Sequence, residues 1–256
     1  MTNDLYVQRD QPPGVPPLAL TGERTLPDVP EENYWYRRHL AVYEWIGARV
    51  IGRRVLDMAC GEGYGSEVLS RGADSVVGVD ANPEAHEHAR LRYVRENLRY
   101  ERGMVENYGE PGSFDAVVFL QTIEHVQDPT AVLRHFQSLL TAGGAAYIST
   151  PNLLTLAPAG APKSDNPWHI KEYRAHEFEA LCRGVFDSVE LYGLFHARRL
   201  RVHEVALRYG WDRVHKTLGL TKPFYDRFTP AISASDFALR ADRDLDGALD
   251  FLAVCR

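Results

Sequence analysis

The stretch VLDMACGEGYG, residues 55–65, constrains the chain more than any other. An apolar run stops at an acid, Asp57, and glycines then fall at positions 61, 63 and 65. A short apolar run ended by a Gly-rich loop reads as a buried strand turning into a helix. The alternation continues downstream. SVVGVD reads as a second strand, and NPEAHEHARLRYV as a helix with Pro83 in its first turn. LRYERG is a weaker third strand and FDAVVFLQ a strong fourth. DPTAVLRHFQSLLTAGG reads as a helix stopped at Gly143 and Gly144, and AAYIST as a fifth strand ended by Pro151. Strands alternating with helices imply βαβ units and a parallel sheet.

FDSVELYGLF and ALDFLAVCR supply a sixth and a seventh strand, the last expected to run antiparallel. The fold class is therefore α/β, a doubly wound, seven-stranded, mainly parallel sheet. Residues 1–30 carry five prolines before Val29 and read as a mobile arm; residues 31–256 form the domain. EENYWYRRHLAVYEWIGARV places Tyr36, Leu40, Tyr43 and Ile46 at helical spacing, giving a helix that could act as a lid. About fifty residues, roughly 197–246, separate strands six and seven and include the helical VHEVALRYGWDRVHKTLG. That is far longer than an ordinary connection, so it reads as a cap over the carboxyl edge of the sheet.

Net charge is -6 and no basic block occurs, which argues against a nucleic-acid partner. No apolar segment reaches the ~20 residues of a membrane span, and the N-terminus has no signal-peptide core. Cys60, Cys182 and Cys255 are isolated, as expected of buried thiols in a cytoplasmic protein. The sequence leaves a homo-oligomer open.

The glycine spacing is GxGxG. A dinucleotide loop would read GxGxxG and a P-loop would end in GK[ST], so both diphosphate readings lose. Asp57 suits a ligand ammonium, and Asp80, about 20 residues on, suits ribose hydroxyls. The ligand should be a nucleoside with an amino-acid end and no phosphate. VLDMACGEGYG, GVD, FDAVVFLQTIEH and LLTAGGAAYISTPN, spread over residues 50–195, resemble the class I S-adenosylmethionine-dependent methyltransferases. That resemblance implies a Rossmann-like fold, S-adenosylmethionine as cofactor and S-adenosylhomocysteine as product. It implies that Asp57, Gly61 and Gly63 hold the methionine end, and Asp80 with Ala81 the ribose. Met104 and Val105 would flank the adenine, and Gln121 would lie beside the sulfonium.

The acceptor must be read elsewhere. A hydroxyl acceptor loses its proton during methyl transfer, so a general base is valuable. In QTIEH, Gln121, Glu124 and His125 stand at i, i+3 and i+4 and face one pocket. His125 is the favoured base, with Glu124 orienting it or binding a cation. QTIEH resembles the ExxEH of ubiquinone-type O-methyltransferases, which binds a divalent metal. Gln121 replaces its first acid, so Mg²⁺ stays open, with Glu124, His125 and His169 as its ligands. His169 in DNPWHIKEY and His196 in LYGLFHARRLR follow strands five and six, and are candidates for the acceptor pocket or the base. Trp168, Tyr173 and Phe195 could stack on a sugar ring. His86, His88, His135, His176, His203 and His215 read as solvated helix faces.

LALTGERTLPDVPEENYWYRRHLAVYEW, YGLFHARRLR and DRDLDGALDFLAVCR resemble the actinobacterial methyltransferases of methylmannose polysaccharide synthesis. That resemblance implies a small-molecule or oligosaccharide acceptor with a mannoside or related hydroxyl, and a magnesium-type ion. It also suggests that Arg24, Tyr36 and Arg38 contact the methionine carboxylate or the substrate. Two other readings remain: a small natural-product O- or N-methyltransferase, and a non-catalytic S-adenosylmethionine-binding protein.

Overall fold

The computed structural model describes residues 5–9, 11–20, 24–158 and 160–256. A two-stranded antiparallel ribbon, β1 (Leu5–Tyr6) and β2 (Leu18–Ala19), precedes helix α1 (Asn33–Gly47). The alternating part follows: β3 (Arg54–Met58), α2 (Tyr64–Ser70), β4 (Ser75–Asp80), α3 (Pro83–Arg92), β5 (Leu98–Arg102), β6 (Phe114–Leu120), α4 (Pro129–Leu139) and β7 (Leu140–Pro151). A short α5 (Leu153–Leu156) and α6 (Ala175–Arg183) lead to β8 (Val189–His196). The long connection holds α7 (Arg198–Arg208), α8 (Trp211–Thr217), α9 (Thr221–Phe228) and β9 (Phe237–Arg240), before β10 (Asp250–Cys255) closes the chain.

The main sheet has the order β5-β4-β3-β6-β7-β10-β8-β9. The five strands from β5 to β7 are parallel, and β10 runs antiparallel between β7 and β8. The chain winds outward from β3 to β5, then restarts at β6 on the other side of β3. Ligands of open α/β sheets bind outside the carboxyl ends of the strands at such a switch point. The strands are apolar on both faces because both are covered. Leu56, Met58, Val117 and Phe119 pack with α4 and α6 on one face. Val55, Val118 and Leu120 pack with α1 and α2 on the other.

Several expectations are corrected. The sheet has eight strands, not seven: FALR within the long connection pairs antiparallel with β8 as β9 and covers an otherwise open edge. Helix α4 stops at Leu139 rather than at the glycines. Gly143, at φ +79°, lies within β7, where the register with β6 slips between Phe114 and Ala116. In the described part of the Pro-rich arm, Leu18, Leu26 and Val29 are buried together. Its Gln8 Nε2 donates to Glu62 Oε1 at 2.7 Å, and His88 Nδ1 donates to the Pro16 carbonyl at 2.7 Å. Buried His88 and His215 therefore leave the set of solvated histidines. Thr21, Gly22 and Glu23 of the TGER motif lie outside the described residues. Among the described residues no helix is long and apolar enough to cross a membrane.

Candidate active site

After β3 the backbone turns through Ala59, Gly61 and Gly63, at φ +55°, +58° and +99°. Two buried acids hold this turn. Asp57 accepts the Ser66 hydroxyl at 2.6 Å and the Tyr43 hydroxyl at 3.3 Å, and burial pushes it up to about 7. Glu62 accepts from Gln8 and from Tyr93, and burial pushes it up to about 7 as well. Gly63 is a packing glycine, since a Cβ there would stand 2.8 Å from Ala89 Cβ and from the Tyr100 hydroxyl. Asp80, at the end of β4, accepts the N–H groups of Gly61 and Asn82, each at 2.8 Å. It does not cap α3; Asn82 does, accepting from Glu84 and Ala85 at 2.9 Å.

A cavity of about 270 Å³ opens above this turn, lined by Tyr43, Cys60, Gly61, Glu62, Tyr64 and Asp80 among others. A second, of about 450 Å³, is lined by Glu31, Glu32, Trp35, Arg38, Glu124, Asn166 and His169 among others. Five residues line both: Arg24, Thr25, His39, Gln121 and His125. Gln121 sits at φ +52°, a left-handed conformation unusual for a residue with a side chain. Its amide Nε2 donates to Ser149 Oγ at 3.0 Å and its N–H to the Ser149 carbonyl at 3.1 Å, which fixes the end of β6 against β7.

Glu124, His125 and His169 come together, with their ligating atoms all within 4.8 Å of one another. Glu124 is buried and accepts the Thr150 hydroxyl at 3.0 Å; burial, then the nearby Asp250 and Glu172, push it up to about 8. His169 Nδ1 donates to Glu172 Oε1 at 2.7 Å. Burial works to raise Glu172, but bonds from Ser164 and His169 hold it below the usual carboxylate range. That carboxylate leaves the His169 Nε2 lone pair for a ligand, the usual outer-shell arrangement of a metal-binding histidine. His125 Nδ1 donates to the Trp168 carbonyl at 3.0 Å.

Other expected site residues stand apart. Asp57 lies beneath the turn and lines neither cavity, because its oxygens are taken by Ser66 and Tyr43. Gly63 is likewise packed away from them. Ala81 and Met104 are exposed, Val105 packs on the core, and none of the three lines a cavity. Tyr36 packs edge-on against Tyr64 at 5.0 Å. His196 has both ring nitrogens engaged, by Tyr34 at 2.8 Å and Glu204 at 3.3 Å, in the seam between α1 and the cap. Tyr173 and Phe195 are core residues, and the Trp168 ring is 57% exposed while only its carbonyl reaches the site. His39, which lines both cavities, belongs to no motif in the sequence. Its signal was present: Trp35, His39 and Tyr43 recur at i, i+4 and i+8 on α1.

A doubly wound sheet with the glycine turn and Asp80 at its switch point, and a second cavity adjoining the first, defines a class I S-adenosylmethionine-dependent methyltransferase. The chain belongs to the family described as Methyltransferase domain, which matches residues 32–205. It is 36% identical over 247 residues to a probable S-adenosylmethionine-dependent methyltransferase of Mycobacterium tuberculosis, covering 93% of this chain and 89% of that one. A ubiquinone biosynthesis O-methyltransferase of Xanthomonas campestris is 39% identical over 128 residues, 46% of this chain and 54% of that enzyme. Among solved structures, a possible histamine N-methyltransferase of Thermotoga maritima shares the fold at TM-score 0.58, with 15% identity over 88% of this chain and 94% of that one. The protein is an enzyme, and its cofactor is S-adenosylmethionine.

Proposed function

We propose that this methyltransferase transfers its methyl group to a carbohydrate hydroxyl, a mannoside or a related sugar. The observation that carries the reading is the junction of the two cavities at His39, Gln121 and His125, with charged and amide side chains set beside Trp35, Pro151 and Leu156 in the second cavity. Glu31, Glu32 and Asn166 offer the carboxylates and amide that bind hydroxyls, and Trp35 offers a ring for the apolar face of a sugar. In the first cavity Asp80 takes the ribose hydroxyls and Arg24 the methionine carboxylate. Residues 31–256 act as the catalytic unit, with 197–246 as its cap.

Glu124, His125 and His169 fit a divalent cation by their donor set and spacing, and a cation there would neutralise the buried Glu124. Two imidazoles and one carboxylate suit Mn²⁺ or Zn²⁺ at least as well as the oxygen-seeking Mg²⁺. Bound there, the ion would polarise an acceptor oxygen and lower the pKa of its proton. Thr150, Trp168 and Glu172 hold the three ligands in place. Because a sulfonium displacement is in line, holding acceptor and donor in register supplies much of the rate. The similarity to a ubiquinone O-methyltransferase over part of the chain favours a phenolic acceptor as the second reading. A panel of mannosides, other sugars, phenols and amines, assayed for methylated product by mass spectrometry, separates these readings.

A further inference from the structure

We propose that His39 is the group that receives the hydroxyl proton during methyl transfer, an assignment that rests on the O-methyl reading above. Helix α1 carries Trp35, His39 and Tyr43 one above another, each pair about one turn, ~5.4 Å, apart. Trp35 lines only the acceptor cavity and Tyr43 only the donor cavity, while His39 lines both. The imidazole therefore sits where the two cavities meet, on the wall shared with Gln121 and His125.

The helix is fixed in this register. Arg38 is bound bidentately to Asp250, Tyr43 donates to Asp57, and Asn33 Nδ2 donates to the carbonyls of Thr229 and Ile232. His39 makes no hydrogen bond among the described residues, so no protein group there occupies its acceptor nitrogen. Desolvation pushes its pKa down to about 4, opposed by Asp250 and reinforced by Arg38, so the ring is neutral and can accept a proton.

His125 is the obvious rival, since it also lines both cavities. Its Nδ1 is committed to the Trp168 carbonyl, and Nε2 is the nitrogen that can join Glu124 and His169 around a cation. One lone pair cannot both ligate a cation and take a proton. His39, which lines both cavities as well, resolves that conflict.

The step balances. The acceptor oxygen forms a bond to the methyl carbon as the carbon–sulfur bond breaks, and that electron pair stays on sulfur. The hydroxyl proton moves to the His39 nitrogen and is then lost to solvent through the acceptor cavity. The positive charge leaves the sulfonium and reappears on the imidazolium, so the site keeps the same net charge throughout.

The test compares His39→Ala, His39→Asn and His125→Ala with the wild type. Binding of S-adenosylmethionine and of Mn²⁺ alone is followed by calorimetry, and turnover is measured on the best sugar acceptor with and without added imidazole. Both His39 variants should bind donor and Mn²⁺ within about threefold of wild type while kcat falls ~10²–10⁴-fold. Imidazole should restore part of the turnover of His39→Ala. His125→Ala should instead lose Mn²⁺ binding and gain nothing from imidazole. A His39 variant with kcat within about threefold of wild type overturns the assignment. So does a His39→Ala loss that imidazole leaves untouched, or rescue that follows His125→Ala. Absence of transfer by the wild type to any sugar overturns the O-methyl sugar reading first, and this assignment with it.

Discussion

Arg38 on α1 and Asp250 at the start of β10 form a buried bidentate pair, Nε to Oδ2 at 2.6 Å and Nη2 to Oδ1 at 2.5 Å. The pair, together with Arg38 Nη2 on the Leu249 carbonyl at 2.7 Å, fastens the helix that bears His39 across the carboxyl edge of the sheet. Removing one partner leaves an uncompensated buried charge. Asp250→Ala should lower unfolding free energy by ~3–5 kcal/mol, read from urea denaturation. The Arg38→Met, Asp250→Leu double variant should recover much of that loss, because the buried charge is gone. Equal losses in the single and double variants would contradict the pairing.

The glycines of the turn should separate binding from stability. A methyl group at Gly63, at φ +99°, collides with Ala89 and Tyr100, so Gly63→Ala should lower stability by ~2–5 kcal/mol through overpacking and backbone strain. Gly61, at φ +58°, has nothing within 4 Å of an added Cβ and lines the donor cavity. Gly61→Ala should cost about 1–2 kcal/mol of stability, yet weaken S-adenosylmethionine binding more than tenfold. Thermal melting set beside calorimetry reads both.

Burial raises Asp57 to about 7 from its ordinary value of 3.8. Between those values the folded state binds the extra proton, so this group's contribution to stability falls as pH rises through the window. His39, lowered from 6.5 to about 4, acts in the opposite sense. Asp57→Asn isolates the first effect, since Ser66 can turn its hydroxyl to suit the amide. Relative to wild type, the variant should gain stability as pH rises from about 4 to about 7. A difference in melting temperature that stays constant across that range would contradict the assignment.

The sheet was legible because its strands are apolar runs with sharp stops, and no other arrangement buries both faces of each. Strand β9 was not legible: FALR is four residues long, and it forms because the outer edge of β8 is open to it. The arm read as mobile from its prolines, while Leu18, Leu26 and Val29 bury themselves at no regular period. At the site, residues at strand ends were readable, and Gly61, Asp80, Gln121, Glu124, His125 and His169 all reach the cavities. Tyr36, Tyr173 and His196 were not, because tertiary packing turned their side chains into seams and core. His39 was not legible because helical spacing alone does not show which face of α1 meets the cavities.

The triad of Glu124, His125 and His169 predicts cation-dependent stability. Saturating Mn²⁺ should raise the melting point by the equivalent of ~1–3 kcal/mol, and Glu124→Gln or His169→Ala should abolish the shift. Glu172→Ala, which frees the His169 ring, should weaken Mn²⁺ binding ~10–100-fold without removing it. Full-strength binding in Glu124→Gln would remove the carboxylate from the set.

The proposed transfer to a sugar hydroxyl is tested by where the methyl group lands. The most direct measurement supplies isotopically labelled S-adenosylmethionine with a panel of mannosides, other sugars, phenols and amines, and locates the label by mass spectrometry with and without chelator. Transfer to a sugar hydroxyl with cation assistance should give one label on a carbohydrate oxygen, with matching S-adenosylhomocysteine and a rate that falls when chelator is added. Label appearing only on phenols or amines, or tight donor binding with no transfer to any sugar, would contradict it.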